Sequence, residues 1–242
     1  MRKALYVAAM FMCVFLTQRT RAASLPECPA ANIDRSCVLL GNRTAALTIT
    51  GDNVTLDCQG FGVIGPAGSF GAGIRVNRRS QPRINNCTVS GWDTGIMVEY
   101  VPTSIFLKQN SVTNNKTGVM IVNSNTVYLS WGTVAFNSDD GIDLVNNAFV
   151  SVNHVGIRKN TDKGITYKND LTANNIRLNV IENVIEGNGI GLSVQDKTQK
   201  TKGMICGNGF WTNQALDLFS NATGVVESDS RSANAWGVCL SD

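Results

Sequence analysis

Downstream of residue 45, apolar and polar positions alternate in short runs separated by turn residues. The clearest runs are Gly73-Ile-Arg-Val76, Gly95-Ile-Met-Val98, Gly118-Val-Met-Ile121, Gly141-Ile-Asp-Leu144 and Gly164-Ile-Thr-Tyr167, with glycines 22, 23, 23 and 23 residues apart. Weaker copies follow at Gly191-Leu-Ser-Val194 and Ala215-Leu-Asp-Leu218. A second alternating element recurs at Val54-Thr-Leu56, Ile105-Phe-Leu107, Val127-Tyr-Leu129, Val150-Ser-Val152 and Ile176-Arg-Leu178. A period of two over so few residues predicts strands, and no segment carries a helical period with caps.

Two or three short strands in each repeat of about 23 residues predict a stacked solenoid. Apolar side chains fill each coil, and neighbouring coils pair in parallel at about 4.8 Å. Asparagine marks the corners. Asn115, Asn137 and Asn160 precede the Gly-Ile strand, and Asn123, Asn146 and Asn169 follow it. Asn tolerates left-handed backbone at tight turns, and its amide can hydrogen-bond to the amide of the next coil. A leucine-rich horseshoe is excluded, because its Leu-x-x-Leu-x-Leu-x-x-Asn frame is absent.

Thr48 to Gly65, with Gly51-Asp-Asn-Val-Thr-Leu-Asp-Cys-Gln-Gly60 at its centre, resembles the first coil of the right-handed parallel β-helix proteins. These include the pectate-lyase-like fold and the NosD-type periplasmic proteins. The later Gly-Ile-x-Val elements resemble their succeeding coils, and the likeness covers roughly residues 46–220. It implies an all-β, single-stranded right-handed parallel β-helix, a fold that hosts many activities. The expected organisation is a signal peptide at 1–22 and one β-helix domain at 23–242. Within it, 24–45 form an N-terminal cap, 46–221 the coils, and 222–242 a C-terminal cap or tail.

The signal is read from Arg2-Lys3, a 13-residue apolar run from Ala4 to Leu16, and Thr20-Arg21-Ala22. That run is short for a bilayer span, so a secreted or periplasmic location is expected. Charge then changes meaning. Four of the 21 Lys and Arg residues precede residue 23, so the other 17 face 18 Asp and Glu, a net charge of −1. No global field pulls the mature chain toward nucleic acid or a membrane. Six cysteines remain beyond the signal. Their even number suggests disulfides. Cys28–Cys37, Cys58–Cys87 and Cys206–Cys239 is the simplest of fifteen possible pairings.

Alternation also sets which side chains leave the core. One outward column runs Arg75, Met97, Met120, Asp143, Thr166, Ser193, Asp217, and the next runs Asn77, Glu99, Val122, Val145, Lys168. Before the glycines lie Asp93, Lys116, Asp139, Asp162 and Thr94, Thr117, Asp140, Lys163. Charge therefore gathers on one edge of the middle coils. Paired carboxylates suit glycoside hydrolysis, in which one protonates the leaving oxygen and the other activates water. A lyase would use carboxylates for calcium and a lysine to take the proton beside a uronate carboxyl. The candidate catalytic residues are Asp140, Asp143, Asp162, Lys163 and Lys168. Asp139, Asp140 and Asp162 are candidate calcium ligands. The bland alternative is a salt-bridge ladder, Asp93–Lys116–Asp139 with Asp140–Lys163.

Asn137-Ser-Asp-Asp-Gly-Ile-Asp143 resembles the Asn-Thr-Asp-Gly-Ile-Asp motif of polygalacturonases. One coil on, Lys163 stands where that family has the second Asp of a pair, and Asn188 in Gly187-Asn188-Gly189 stands where it has His. The only histidine, His154, has no triad partner at a telling spacing and reads as a corner residue. Met97 over Met120 makes an outward apolar stripe. Together these features suggest a protein that binds or processes polysaccharide, as a lyase or hydrolase of an acidic polymer. The alternative is a non-catalytic binding or structural surface protein. Polysaccharide is the expected partner, a monomer the expected state, and neither nucleic acid nor a membrane is expected after signal cleavage.

Overall fold

The computed structural model describes residues 25–171, 176–221 and 224–227. It is an all-β parallel solenoid of about eight turns. The expected signal at 1–22 lies outside the described residues. So does most of the expected C-terminal cap, including Trp236 and Cys239.

The middle coils have three strands each, which form three faces, whereas Gly62–Asn77 and Thr88–Glu99 run unbroken through two of them. Face 1 carries the Gly-Ile strands, such as Thr117–Val122, Ile142–Val145, Lys163–Asn169 and Ile190–Asp196. Face 2 is a nine-stranded sheet that includes Ser104–Lys108, Thr126–Ser130, Phe149–Asn153 and Thr201–Cys206. Face 3 holds three-residue strands such as Ser111–Thr113, Thr133–Ala135 and Gly156–Arg158. Asn32–Ile33, Cys37–Val38 and Gly224–Glu227, in the segments expected as caps, pair in parallel with the coils next to them.

The repeat's apolar positions stack as expected. Leu47, Ile74, Ile96, Val119, Ile142, Ile165, Leu192 and Leu218 are in-register partners down face 1. The column from Ile74 to Ile165 is buried. Leu56, Ile84, Leu107, Leu129, Val152 and Val180 do the same inside face 2. Two late alignments slip by two residues. Val150 pairs with Leu178 rather than Ile176, and Leu192 pairs with Leu218 rather than Leu216. A slip of two keeps the inward–outward parity, so the hydrophobic pattern cannot detect it. Asp217 therefore leaves the outward column, and Phe219 stands beside Ser193. Thr166 and Ser193, expected outside, are also buried.

Asparagine works in two ways at the corners. Asn115, Asn137, Asn160, Asn188 and Asn213 form a ladder between faces 3 and 1: from Asn137 onward each Oδ1 accepts the main-chain N–H of the asparagine one coil before, and Asn115 Oδ1 accepts that of Trp92. Each ladder Nδ2 donates to a face 3 carbonyl or to the next Oδ1. The left-handed position at this corner is the preceding residue: Asn114 (φ 56°), Phe136 (φ 56°) and Lys159 (φ 51°). The corner between faces 1 and 2 uses Asn123 and Asn146 themselves in that conformation. Asn169 does not follow them. It is buried and donates to Asp196.

This ladder explains the glycine of the Gly-Ile repeat. A Cβ on Gly118 would lie 2.5 Å from the Gly141 carbonyl oxygen and 2.8 Å from Asn137 Nδ2. The repeat's glycine serves close approach, not a positive φ. Cys28–Cys37 and Cys58–Cys87 are disulfides, the latter closing 29 residues. Cys206 is also disulfide-bonded, while Cys239, its expected partner, lies outside the described residues.

Candidate functional site

Where face 3 turns into face 1, the Asn ladder fixes the backbone and leaves the next two or three residues of each coil facing solvent. Those residues are the expected acidic edge. Asp139 and Asp162 are one coil apart, joined by the Asp162 N–H to the Asp139 carbonyl at 3.2 Å. Carboxylate oxygens of Asp139, Asp140 and Asp162 all lie within 4.8 Å of one another. Their exposure is graded, with Asp162 exposed, Asp139 intermediate and Asp140 buried.

Asp140 is held at both oxygens. Oδ1 accepts the Lys163 N–H at 3.1 Å, and Oδ2 accepts the Thr166 hydroxyl at 2.7 Å. Burial raises its carboxyl above the usual range, against the pull of Thr166 and Lys163. The Lys163 ammonium donates to Asp162 and stands 3.8 Å from Asp140 Oδ1. Burial works against its charge, but these carboxylates outweigh it and raise its pKa. Three carboxylates thus surround one ammonium, leaving an excess of negative charge.

Asp143 and Lys168 sit on face 1 itself. Lys168 Nζ is 3.7 Å from Asp143 Oδ1, a mostly buried oxygen with no hydrogen-bond donor. Burial raises the Asp143 carboxyl, and Lys168 only partly offsets this. The five candidate catalytic residues therefore share one edge and face, as their spacing implied. The ladder alternative is only partly built. Asp140 does approach Lys163, but no ion pair joins Asp93, Lys116 and Asp139 among the described residues. Asn188, at the position of the polygalacturonase His, is fully buried in the Asn ladder and points away from solvent chemistry.

The same corner continues toward the N-terminus as an open cleft. Asp93, Asn114, Lys116, Phe136 and Ser138 line it, with Gly68 and Ser69 from the insertion after Ile64. Phe136 is 55% exposed, and Phe70 on that insertion is 90% exposed. The sequence reading missed both aromatics. The available signal was that Phe136 directly precedes a ladder asparagine, a position that must turn left-handed. His154 is a corner residue as expected, and it also stacks on Trp131 at 4.1 Å and bonds Glu182 Oε2 through Nε2 at 2.8 Å.

Compared with protein families, residues 15–181 and 67–235 match the right-handed β-helix region. No curated protein and no solved structure matches the chain. The disulfides fit an oxidising environment, and among the described residues no helix is long and apolar enough to cross a membrane.

Proposed function

Because the chain belongs to the right-handed β-helix family, whose coils offer long regular edges to an extended polymer, we propose that it is an exported polysaccharide-binding protein. The binding edge runs along the corner between faces 3 and 1, from Ser69 past Phe136 to Lys163. Phe136 carries this reading. A bulky aromatic at positive φ costs about 1–2 kcal/mol in backbone strain, and here it sits exposed beside a polar cleft. Asn or Gly would fill that corner more cheaply. An exposed ring next to amide, hydroxyl and charged groups suits a sugar, which offers an apolar face and a rim of hydroxyls.

Asp139, Asp140 and Asp162 would hold a calcium ion, since hard cations select oxygen ligands. The ion would offset the surplus negative charge and let the edge accept uronate carboxylates. A second reading, cleavage of the polymer, is favoured by Asp143. Its half-buried carboxyl, with Oδ1 buried and lacking a donor, keeps a proton to higher pH than an ordinary aspartate, as a general acid must. Lys168 would be the base of a lyase. Asp140, with both oxygens occupied, positions Lys163 and Thr166.

The test is binding to pectin, alginate and hyaluronan, with calcium or chelator, while following reducing ends and unsaturated uronate. Wild type should bind at least one polymer more tightly with calcium, and Phe136→Asn should weaken this tenfold or more without loss of fold. Equal binding by wild type and Phe136→Asn would remove the edge from the account. Polymer cleavage abolished by Asp143→Asn would establish the second reading.

A further inference from the structure

Face 2 obeys a different charge rule from the other two faces. On faces 1 and 3, basic residues pair with an acid one coil away: Arg75 with Glu99 at 2.7 Å, Arg158 with Glu186 at 3.2 Å, and Lys168 with Asp143 at 3.7 Å. Face 2 presents Arg83, Lys108, Arg177 and Lys202, all exposed. None of the four makes an ion pair with a described residue. Their in-register neighbours explain why. Lys108 lies between Asn85 and Ser130, and Arg83 between Thr55 and Phe106. Arg177 and Lys202 are direct partners of each other. Like charges placed directly opposite on adjacent strands are destabilising. On the strands from Thr55–Asp57 to Thr201–Cys206 the sole acid is Asp57, whose Oδ1 already accepts the Gln59 N–H at 2.9 Å and Asn86 Nδ2 at 3.0 Å.

Between the two basic ends runs an aromatic stripe. The Arg83 guanidinium lies 4.1 Å over Phe106, Phe106 stacks on Tyr128 at 5.1 Å, and Tyr128 meets Phe149 at 5.7 Å. Phe149 is in turn the in-register neighbour of Arg177. Cation, three rings, cation, cation thus follow one another across six successive coils.

We propose that face 2 is a second binding surface, one that takes an acidic polysaccharide directly through its carboxylate or sulfate groups, without calcium. This rests on the reading of the partner as a polysaccharide but uses none of the acidic edge. Charge complementarity selects a polyanion, and the unpaired guanidinium and ammonium groups are free to bond its acid groups. A nucleic acid fits less well. Single strands need ring faces on which bases stack, whereas Phe106 and Tyr128 spend their faces on each other and present edges. The disulfides also fit an oxidising environment. Phe106, Tyr128 and Phe149 would supply an apolar strip between the two charged ends.

The experiment compares wild type with Arg83→Gln/Lys108→Gln/Arg177→Gln/Lys202→Gln and with Asp139→Asn/Asp162→Asn. Each is titrated in chelator with polygalacturonate, hyaluronan, chondroitin sulfate, neutral dextran and a single-stranded oligonucleotide, at low and high salt. Circular dichroism and thermal melting confirm the fold of each variant. We expect wild type to bind an acidic polysaccharide in chelator, with affinity falling as salt rises, and the Asp variant, with two fewer negative charges, to bind it no more weakly. The four-Gln variant should lose at least tenfold, and dextran should not bind. Three results would overturn the proposal: no chelator-resistant binding to any acidic polysaccharide, equal binding by the four-Gln variant, or tighter binding of the oligonucleotide than of every polysaccharide. The calcium-dependent binding proposed for the acidic edge is read in separate titrations, so either surface can fail while the other stands.

Discussion

Asn137→Ala should be among the most damaging single changes at the corner beneath the acidic edge. Asn137 is 1% exposed, and its Oδ1 accepts both the Asn115 N–H at 3.0 Å and Asn115 Nδ2 at 3.2 Å. Its Nδ2 donates to Asn160 Oδ1 at 2.9 Å and to the Val112 carbonyl at 3.4 Å. Some of these partners survive the deletion. Asn115 Nδ2 keeps the Val89 and Thr113 carbonyls, and Asn160 Oδ1 keeps the main-chain N–H of residue 137. The Asn115 N–H is left buried with no acceptor, which costs about 1–3 kcal/mol. The bonds lost by Asn115 Nδ2 and Asn160 Oδ1, which keep other partners, together with the long 3.4 Å bond to the Val112 carbonyl, add about 1 kcal/mol. The total is roughly 2–4 kcal/mol, a large share of a typical domain's stability. Urea unfolding followed by circular dichroism and tryptophan fluorescence would measure it as a lower midpoint at unchanged slope. Asn114→Ala, at the exposed left-handed position one residue before the ladder, is the control and should cost less. A loss under about 1 kcal/mol for Asn137→Ala, or one no larger than for Asn114→Ala, would refute the ladder's role.

Further expectations concern the disulfide, one buried carboxylate and the acidic edge. Replacing Cys58 and Cys87 with Ser should cost about 2–4 kcal/mol by freeing a closed loop in the unfolded chain, measured by denaturant midpoint; an unchanged midpoint would refute it. Burial disfavours the charge of Asp196, but the N–H groups and hydroxyls of Thr201 and Thr198 more than compensate and lower its pKa to about 2. A depressed carboxylate pKa adds stability above the unfolded value near 4 and loses it as pH falls toward 2. Asp196→Asn should therefore cost about 2 kcal/mol at pH 7 and almost nothing at pH 2, and a pH-independent cost would contradict this. The raised Asp143 pKa has the opposite sign: its stabilising contribution is present below the unfolded value and lost as pH rises through the folded one. Asp143→Asn should therefore help at pH 7 more than at pH 4, as read by thermal melting. Calcium at tenfold its dissociation constant should stabilise wild type by about 1.4 kcal/mol and leave Asp139→Asn/Asp162→Asn unmoved. Equal wild-type melting in calcium and chelator would favour the salt-bridge ladder.

The period of the Gly-Ile-x-Val runs was enough to place the core, because a buried column must repeat its apolar position in every coil. It also brought Asp139, Asp140, Asp143, Asp162, Lys163 and Lys168 to one edge and face. Register at Ile176 and Ala215 was not legible, since a slip of two residues preserves alternation. The burial of Thr166 was equally hidden, because an outward position says nothing about a carboxylate such as Asp140 reaching across from the preceding coil. Phe136 and the ring stack on face 2 escaped for another reason. Their meaning depends on which residues lie one coil away, roughly 23 positions along the chain, rather than on local pattern.

Hydrogen exchange of the wild-type protein, with and without a bound polyuronate and in calcium or chelator, tests the polysaccharide-edge reading most directly. The account predicts that in calcium the polymer protects backbone amides at residues 114–117, 136–140 and 159–163, and that chelation removes this protection. Absence of protection at those corners in calcium, or protection there that chelation leaves unchanged, would contradict it.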